Sequence, residues 1–226
     1  MTPSQTIDKL LKEKSVLKQD VFYTTINTFQ DLKEVLKESI AEIKERFGST
    51  DDRVEFYYKD RGDFQVEVKI AGDILIFQMH TNVFQFDAEH SLWRSSYFKD
   101  NEPNSYVGII NCYNFLADSI KYQRTMDVGY MISRIFVNRE RHFLVQGKRQ
   151  LGFLYNDMIN STLDKEALKK VVESTFLYTL DFDLFTPPYE NFQEITVEQI
   201  QSISQSHSLA IGKRLGFRFG LDENHM

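Results

Sequence analysis

Residues 63–73 read DFQVEVKIAGD. Val66, Val68 and Ile70 alternate with Gln65, Glu67 and Lys69, the period of a strand that packs one face and wets the other. Three similar runs surround it, RVEFYYKD (53–60), DILIFQMH (73–80) and NVFQFD (82–87). Connections this short predict four successive strands in an antiparallel meander.

Matching the apolar positions sets the expected register, because a slip of one residue turns every side chain over. A three-residue loop at Arg61-Gly62-Asp63, with Gly62 left-handed, puts Tyr58 opposite Val66, Phe56 opposite Val68 and Val54 opposite Ile70. A type II′ turn at Gly72-Asp73 puts Ile70 opposite Leu75, Val68 opposite Phe77 and Val66 opposite Met79. The reverse face then collects Glu55, Tyr57 and Lys59, next Gln65, Glu67 and Lys69, next Ile76, Gln78 and His80. Glu55 and Lys69 make a cross-strand ion pair there.

Upstream, residues 28–47 space Phe29, Leu32, Leu36, Ile40, Ile43 and Phe47 by threes and fours. This predicts a helix capped by Thr28, with Asp31 three residues on, and stopped at Gly48. A shorter amphipathic helix is expected from Ser4 to Lys18 through Ile7, Leu10, Leu11 and Leu17. Its stripe must lie on the sheet or on another copy of the chain.

Downstream, residues 92–104 read as a loop. Residues 105–123 read as a mostly buried helix, because Asn111, Asn114, Asp118 and Lys121 recur at three, four and three. That polar stripe bonds neighbouring backbone or lines a pocket. Residues 127–138 and 142–155 form a second hairpin across the Arg139-Glu140-Arg141 turn. Helices follow at 164–180 and 196–216, the latter with a Thr196–Gln199 capping box and Gly216 as terminator. Between them residues 181–195 are an aromatic and acidic linker, in which Asp181 and Asp183 read as solvated carboxylates.

The expected fold is therefore α+β: an antiparallel meander sheet plus a second hairpin, helices packed on one face, and N- and C-terminal helices. Without repeats or low-complexity segments, residues 1–226 make one domain. Its expected parts are an N-terminal helical arm (1–25), a helix, meander, helix and hairpin core (26–160), and C-terminal helices (161–226).

The composition, 42% apolar and 14% aromatic over 226 residues, suffices for a sizeable core. One cysteine, Cys112, excludes an internal disulfide framework and reads as a small core residue. The N-terminus lacks the apolar stretch of a signal peptide, and no apolar run reaches the about 18 residues of a membrane span, so a cytoplasmic protein without a membrane partner is expected. A net charge of −6 disfavours general phosphate-backbone binding. Arg134, Arg139, Arg141, Lys148 and Arg149 nevertheless form a basic cluster around Glu140 alone. The five histidines, His80, His90, His142, His207 and His225, have no zinc-site spacing.

Glu67-Val68-Lys69, with Asp60 or Asp63 as an outlying acid, resembles the motif of the PD-(D/E)xK nuclease superfamily. The resemblance implies Mg²⁺ held by Glu67 and an acid such as Asp63, with Lys69 stabilising the attacking water or the phosphate. The strand departs from that pattern by turning into another strand at Gly72-Asp73. In element order alone, helix, meander, helix, hairpin and helix, the chain is similar to the type III secretion chaperones, which are acidic dimers.

The function expected from the sequence is that of a cytoplasmic, non-enzymatic binding or interaction protein without a cofactor, a chaperone- or adaptor-like homodimer whose partner is a protein or a second copy of itself. The expected binding surface comprises Arg134, Arg139, Arg141, Lys148 and Arg149 with Gln78 and His80 of the polar sheet face. The alternatives are a Mg²⁺-dependent nuclease at Glu67, Lys69 and Asp63, and nucleic-acid or phosphate-ligand binding by the basic hairpin 134–149.

Overall fold

A computed structural model describes residues 2–201 apart from 49, 126, 185, 187 and 199. Helix α1 (Pro3–Leu10) passes through a π-helical turn, Leu11–Ser15, into the long helix α2 (Val16–Phe47). The expected break at Thr28 does not exist. Thr25 and Thr28 instead donate their hydroxyls back to the carbonyls of Val21 and Thr24. Val21, Thr25, Thr28 and Phe29 are all fully buried, and that burial holds β-branched residues in a helix against their local preference. The boundary placed at residue 25 thus falls inside one helix. Gly48 ends it as expected, its amide donating to the Lys44 carbonyl.

Strands β1 (Phe56–Asp60), β2 (Gln65–Ile70) and β3 (Asp73–Met79) form the meander. β4 (Phe84–Gln85), short β-edge that it is, pairs with β5 rather than with β3. The loop expected at 92–104 holds helix α3 (Ser96–Lys99) between two 3₁₀ turns. β5 (Tyr106–Leu116) is followed by helix α4 (Ala117–Lys121). β6 (Tyr130–Asn138) and β7 (Phe143–Gly147) form the second hairpin, and α5 (Gln150–Leu154) and α6 (Lys165–Leu180) follow. The expected second half of the β7 run, 150–154, is therefore helical. One antiparallel sheet results, ordered β1-β2-β3-β5-β6-β7 with β4 beside β5. Of the last expected helix, Val197 and Glu198 open a helical turn. Gln199, residues 202–216, His207 and His225 lie outside the described residues.

The main correction is β5. Residues 106–116, expected as helix, form an eleven-residue strand in mid-sheet, paired on both edges with β3 and β6. A strand covered on both faces is apolar almost throughout and loses the alternation by which strands are recognised. Asn111 and Asn114 consequently point to opposite faces, because Asn111 is opposite Gln78 and Asn114 opposite Leu75. The supposed polar stripe is no stripe, and the element order shared with the secretion chaperones is lost with it.

Both hairpins turn one residue away from the expected positions. The first turn is Gly62–Phe64, closed by the Arg61 amide donating to the Gln65 carbonyl, with Gly62 at φ 101°. The second is Ala71-Gly72, where Ala71 takes φ 52°. Moving a turn by one residue shifts the pairing by two, so Val68 faces Tyr58 and Leu75 instead of Phe56 and Phe77. An even shift leaves every side chain on its expected face.

The core lies between one sheet face and the long helices. Phe29, Leu32 and Leu36 of α2 meet Val66, Val68, Leu75, Phe77, Ile110 and Ile135 of the sheet, with Leu151 of α5 and Val171, Val172 and Phe176 of α6. At Gly108 α2 approaches the sheet closely: a Cβ there would lie 2.0 Å from the Thr25 hydroxyl. α6 runs alongside α2 in the same direction, since Lys165 pairs with Glu34 and Lys169 with Glu42.

Candidate functional site

The outer sheet face, away from the long helices, carries the polar side chains of the meander and continues onto β5, β6 and β7. In register, Gln65 lies opposite Gln78, Gln78 opposite Asn111, Asn111 opposite Arg134 and Arg134 opposite Gln146. Cross-strand partners share a face, so four carboxamides and one guanidinium line up across five strands. Within this row, Arg134 Nε donates to Asn111 Oδ1 at 3.2 Å. The other amides make no hydrogen bond with the described residues, and Arg134 forms no ion pair there. The guanidinium carbon lies 6.0 Å from the Phe136 ring, one position along the same strand face.

A wall stands beside the row. Phe86, Trp93, Tyr97 and Phe98 of the 84–100 segment pack with Phe136 and Leu144 over the outer face at one end of β5 and β6. Phe86 and Phe136 have ring centroids 5.3 Å apart. Gln78 and Gln146 remain exposed at the foot of that wall, and Asn111 is buried between strands.

On the other side of the row lies Glu67, and it is not a free carboxylate. It is 3% exposed. Tyr57 donates to one oxygen at 2.7 Å, and Arg61 donates to the other from Nε and Nη2 at 2.9 and 2.6 Å. Burial, and secondarily the bond to Glu67, pushes the Tyr57 hydroxyl up to about 12. Lys69 turns to Glu55, the ion pair expected from the sequence, and its hydrogen bond holds the Glu55 carboxyl below the usual range.

The acids proposed beside Glu67 do not join it. Asp60 is opposite Val66 and so belongs to the helix-facing side. There Lys33, buried on α2, donates to it at 3.0 and 3.2 Å and to the Gly62 carbonyl at 2.7 Å, which keeps the Asp60 carboxyl low. Asp63 is exposed on the turn. Among the described residues no group of three or more His, Cys, Asp or Glu side chains could hold a metal ion.

The basic residues are dispersed rather than joined in a patch. Arg139 and Arg141 sit at the β6–β7 turn, whereas Lys148 and Arg149 follow the far end of β7. Arg141 bonds Asp31 at 2.7 Å and the Leu163 carbonyl at 3.0 Å, and Arg139 approaches Glu140 and Asn101. Arg149 pairs with Asp181, which is therefore not simply solvated. Of the five, only Arg134 belongs to the sheet face.

His80 stands just past β3, where its Nδ1 accepts from the Asn82 amide at 3.0 Å and its ring meets Phe84 edge-on. Cys112 is 1% exposed and burial pushes its thiol up, so it offers no thiolate. Reasoning from sequence had placed Gln65, Gln78 and Arg134 as surface residues but missed that Asn111 and Gln146 complete the row. The signal was available only as strand parity in β5, which its apolar composition concealed.

No known protein family, curated protein or solved structure matches this chain.

Proposed function

We propose that this chain is a non-enzymatic binding protein that holds an acidic, hydrogen-bonding protein segment on the outer face of its sheet. One observation carries this reading: the in-register row Gln65, Gln78, Asn111, Arg134, Gln146, with a single internal hydrogen bond and a cation lacking a counter-ion among the described residues. Carboxamides donate and accept together, and so match the peptide backbone. A guanidinium fits a carboxylate with two parallel bonds. The half-buried rings of Phe86, Trp93 and Phe136 supply apolar area beside these polar groups.

The nuclease reading has no comparable support, since Glu67 is fully engaged by Arg61 and Tyr57. Nucleic-acid binding by the 134–149 segment is weakened by the ion pairs of Arg141 and Arg149. The test is calorimetric titration with two probes, a glutamate-rich peptide of about ten residues and a single-stranded oligonucleotide of similar length, each at low and physiological salt. The account expects the peptide to bind, with a loss of about tenfold in Arg134→Ala, the cost of one charge-assisted contact. Oligonucleotide binding abolished by Arg139→Ala with Arg141→Ala, and unchanged by Arg134→Ala, would contradict it.

A further inference from the structure

The two ends of the molecule carry exposed apolar side chains and opposite charge. Residues 2–16 contain no buried side chain, and Ile7, Leu10, Leu11 and Val16 are each more than half exposed. Lys9, Lys12, Lys14 and Lys18 surround them, against Asp8 and Glu13. On the C-terminal side, residues 171–201 contain six carboxylates, of which Asp181 is paired with Arg149, and no lysine or arginine. Leu177, Leu180, Tyr189 and Val197 are each more than half exposed there.

Within one chain the arm and α6 lie at different ends of α2. The arm leaves α2 at its first turns, where Leu17 and Val21 pack on Tyr106. α6 starts beside Glu34 and runs alongside α2 away from that end. The 32 residues of α2 span about 48 Å, and the arm extends beyond them. The π-helical turn Leu11–Ser15 adds a residue to one helical turn, which rotates the arm's stripe by about 100° from the continuation of the core-facing stripe of α2. The arm is thereby presented outward rather than along the sheet.

We propose that the chain forms a homodimer by reciprocal docking, the basic arm of each copy lying on the acidic, apolar α6–linker end of the other. A twofold axis with the α2 helices antiparallel makes both contacts at once and closes the assembly. Four large apolar side chains from each surface, in two contacts, bury on the order of 1,500 Å², within the range of stable dimers. The lysines meet carboxylates across each contact, which fixes the orientation of the arm and makes association salt-sensitive. No residue of the arm or the linker belongs to the outer-face row, so this dimer and peptide binding at Arg134 stand or fall separately.

The test is light scattering of the full chain at about 100 μM, a concentration that populates dimers of micromolar affinity. Twice the 26.6 kDa chain mass is expected. Leu10→Glu with Leu11→Glu should yield a monomer whose circular dichroism is that of the native fold. Lys9→Glu, Lys12→Glu and Lys14→Glu together should raise the dissociation constant by about tenfold or more. Adding Glu190→Lys, Glu194→Lys and Glu198→Lys to the same chain should restore it. A wild-type monomer overturns the proposal, and so does a dimer that the second charge reversal fails to rescue, which would place the arm against another arm or a different surface. Should the leucine variant not fold, mixed Lys12→Cys and Glu194→Cys chains decide: oxidation gives a hetero-disulfide dimer if the two ends touch, and its absence overturns the contact.

Discussion

Arg61 donates twice to one oxygen of Glu67, at 2.9 and 2.6 Å, and so neutralises a carboxylate that only 3% exposure would otherwise leave stranded. Removing the partner of a buried charge costs more than the pair itself contributes. Arg61→Ala is expected to lower stability by about 1–3 kcal/mol, discounted for the partial exposure of the arginine, and Glu67→Gln by less. Urea unfolding of the two variants checks the order, which a catalytic role for Glu67 alone does not predict.

The same network has a pH signature. Tyr57 has its hydroxyl raised to about 12 in the folded chain from an ordinary value of 10.0, so above pH 10 the unfolded chain releases this proton first. Its contribution is therefore complete below pH 10 and fades as the pH climbs towards 12. Urea midpoints compared at about pH 9 and about pH 11 should fall further in the wild type than in Tyr57→Phe.

Ala71 takes φ 52° at the β2–β3 turn, in the left-handed region where a Cβ is disfavoured. Ala71→Gly is expected to stabilise the chain by about 0.5–1 kcal/mol, the usual size of such relief. Had the turn been at Gly72-Asp73, as the sequence pattern implied, the same change would lower stability by adding freedom to the unfolded chain.

Gly108 admits α2 to the sheet. A Cβ would lie 2.0 Å from the Thr25 hydroxyl and 2.7 Å from its Cβ, so neither element can yield cheaply. Gly108→Ala should cost about 2–3 kcal/mol by overpacking, and Thr25→Ala in the same chain should recover part of it by withdrawing the hydroxyl and methyl. Additive losses in a double-mutant cycle would place the helix elsewhere.

The meander was legible because its strands alternate, and even turns misplaced by one residue left Val66, Val68, Leu75 and Phe77 in the core. β5 was not legible, because Val107, Ile109, Ile110 and Cys112 are all buried and leave no alternation to read. The long helix was read as two because Val21, Thr24, Thr25 and Ile26 are poor helix formers whose burial against the sheet decides the matter. The candidate row followed the same division. Gln65, Gln78 and Arg134 lie on strands recognised from their pattern, whereas Asn111 belongs to the misread strand and Gln146 is defined only by pairing with β6. The membrane question is narrower: no helix among the described residues is long and apolar enough to cross a bilayer.

The central claim is that the outer-face row is the binding surface, and its most direct measurement is the side-chain amide and guanidinium NMR spectrum during titration with the glutamate-rich peptide. The account predicts that the carboxamide signals of Gln65, Gln78, Asn111 and Gln146 and the Arg134 Nε signal shift together, and that Arg134→Ala moves the carboxamide shifts to about tenfold higher peptide concentration. Unmoved row signals, with changes confined to Arg139 and Arg141 at the β6–β7 turn, would contradict it.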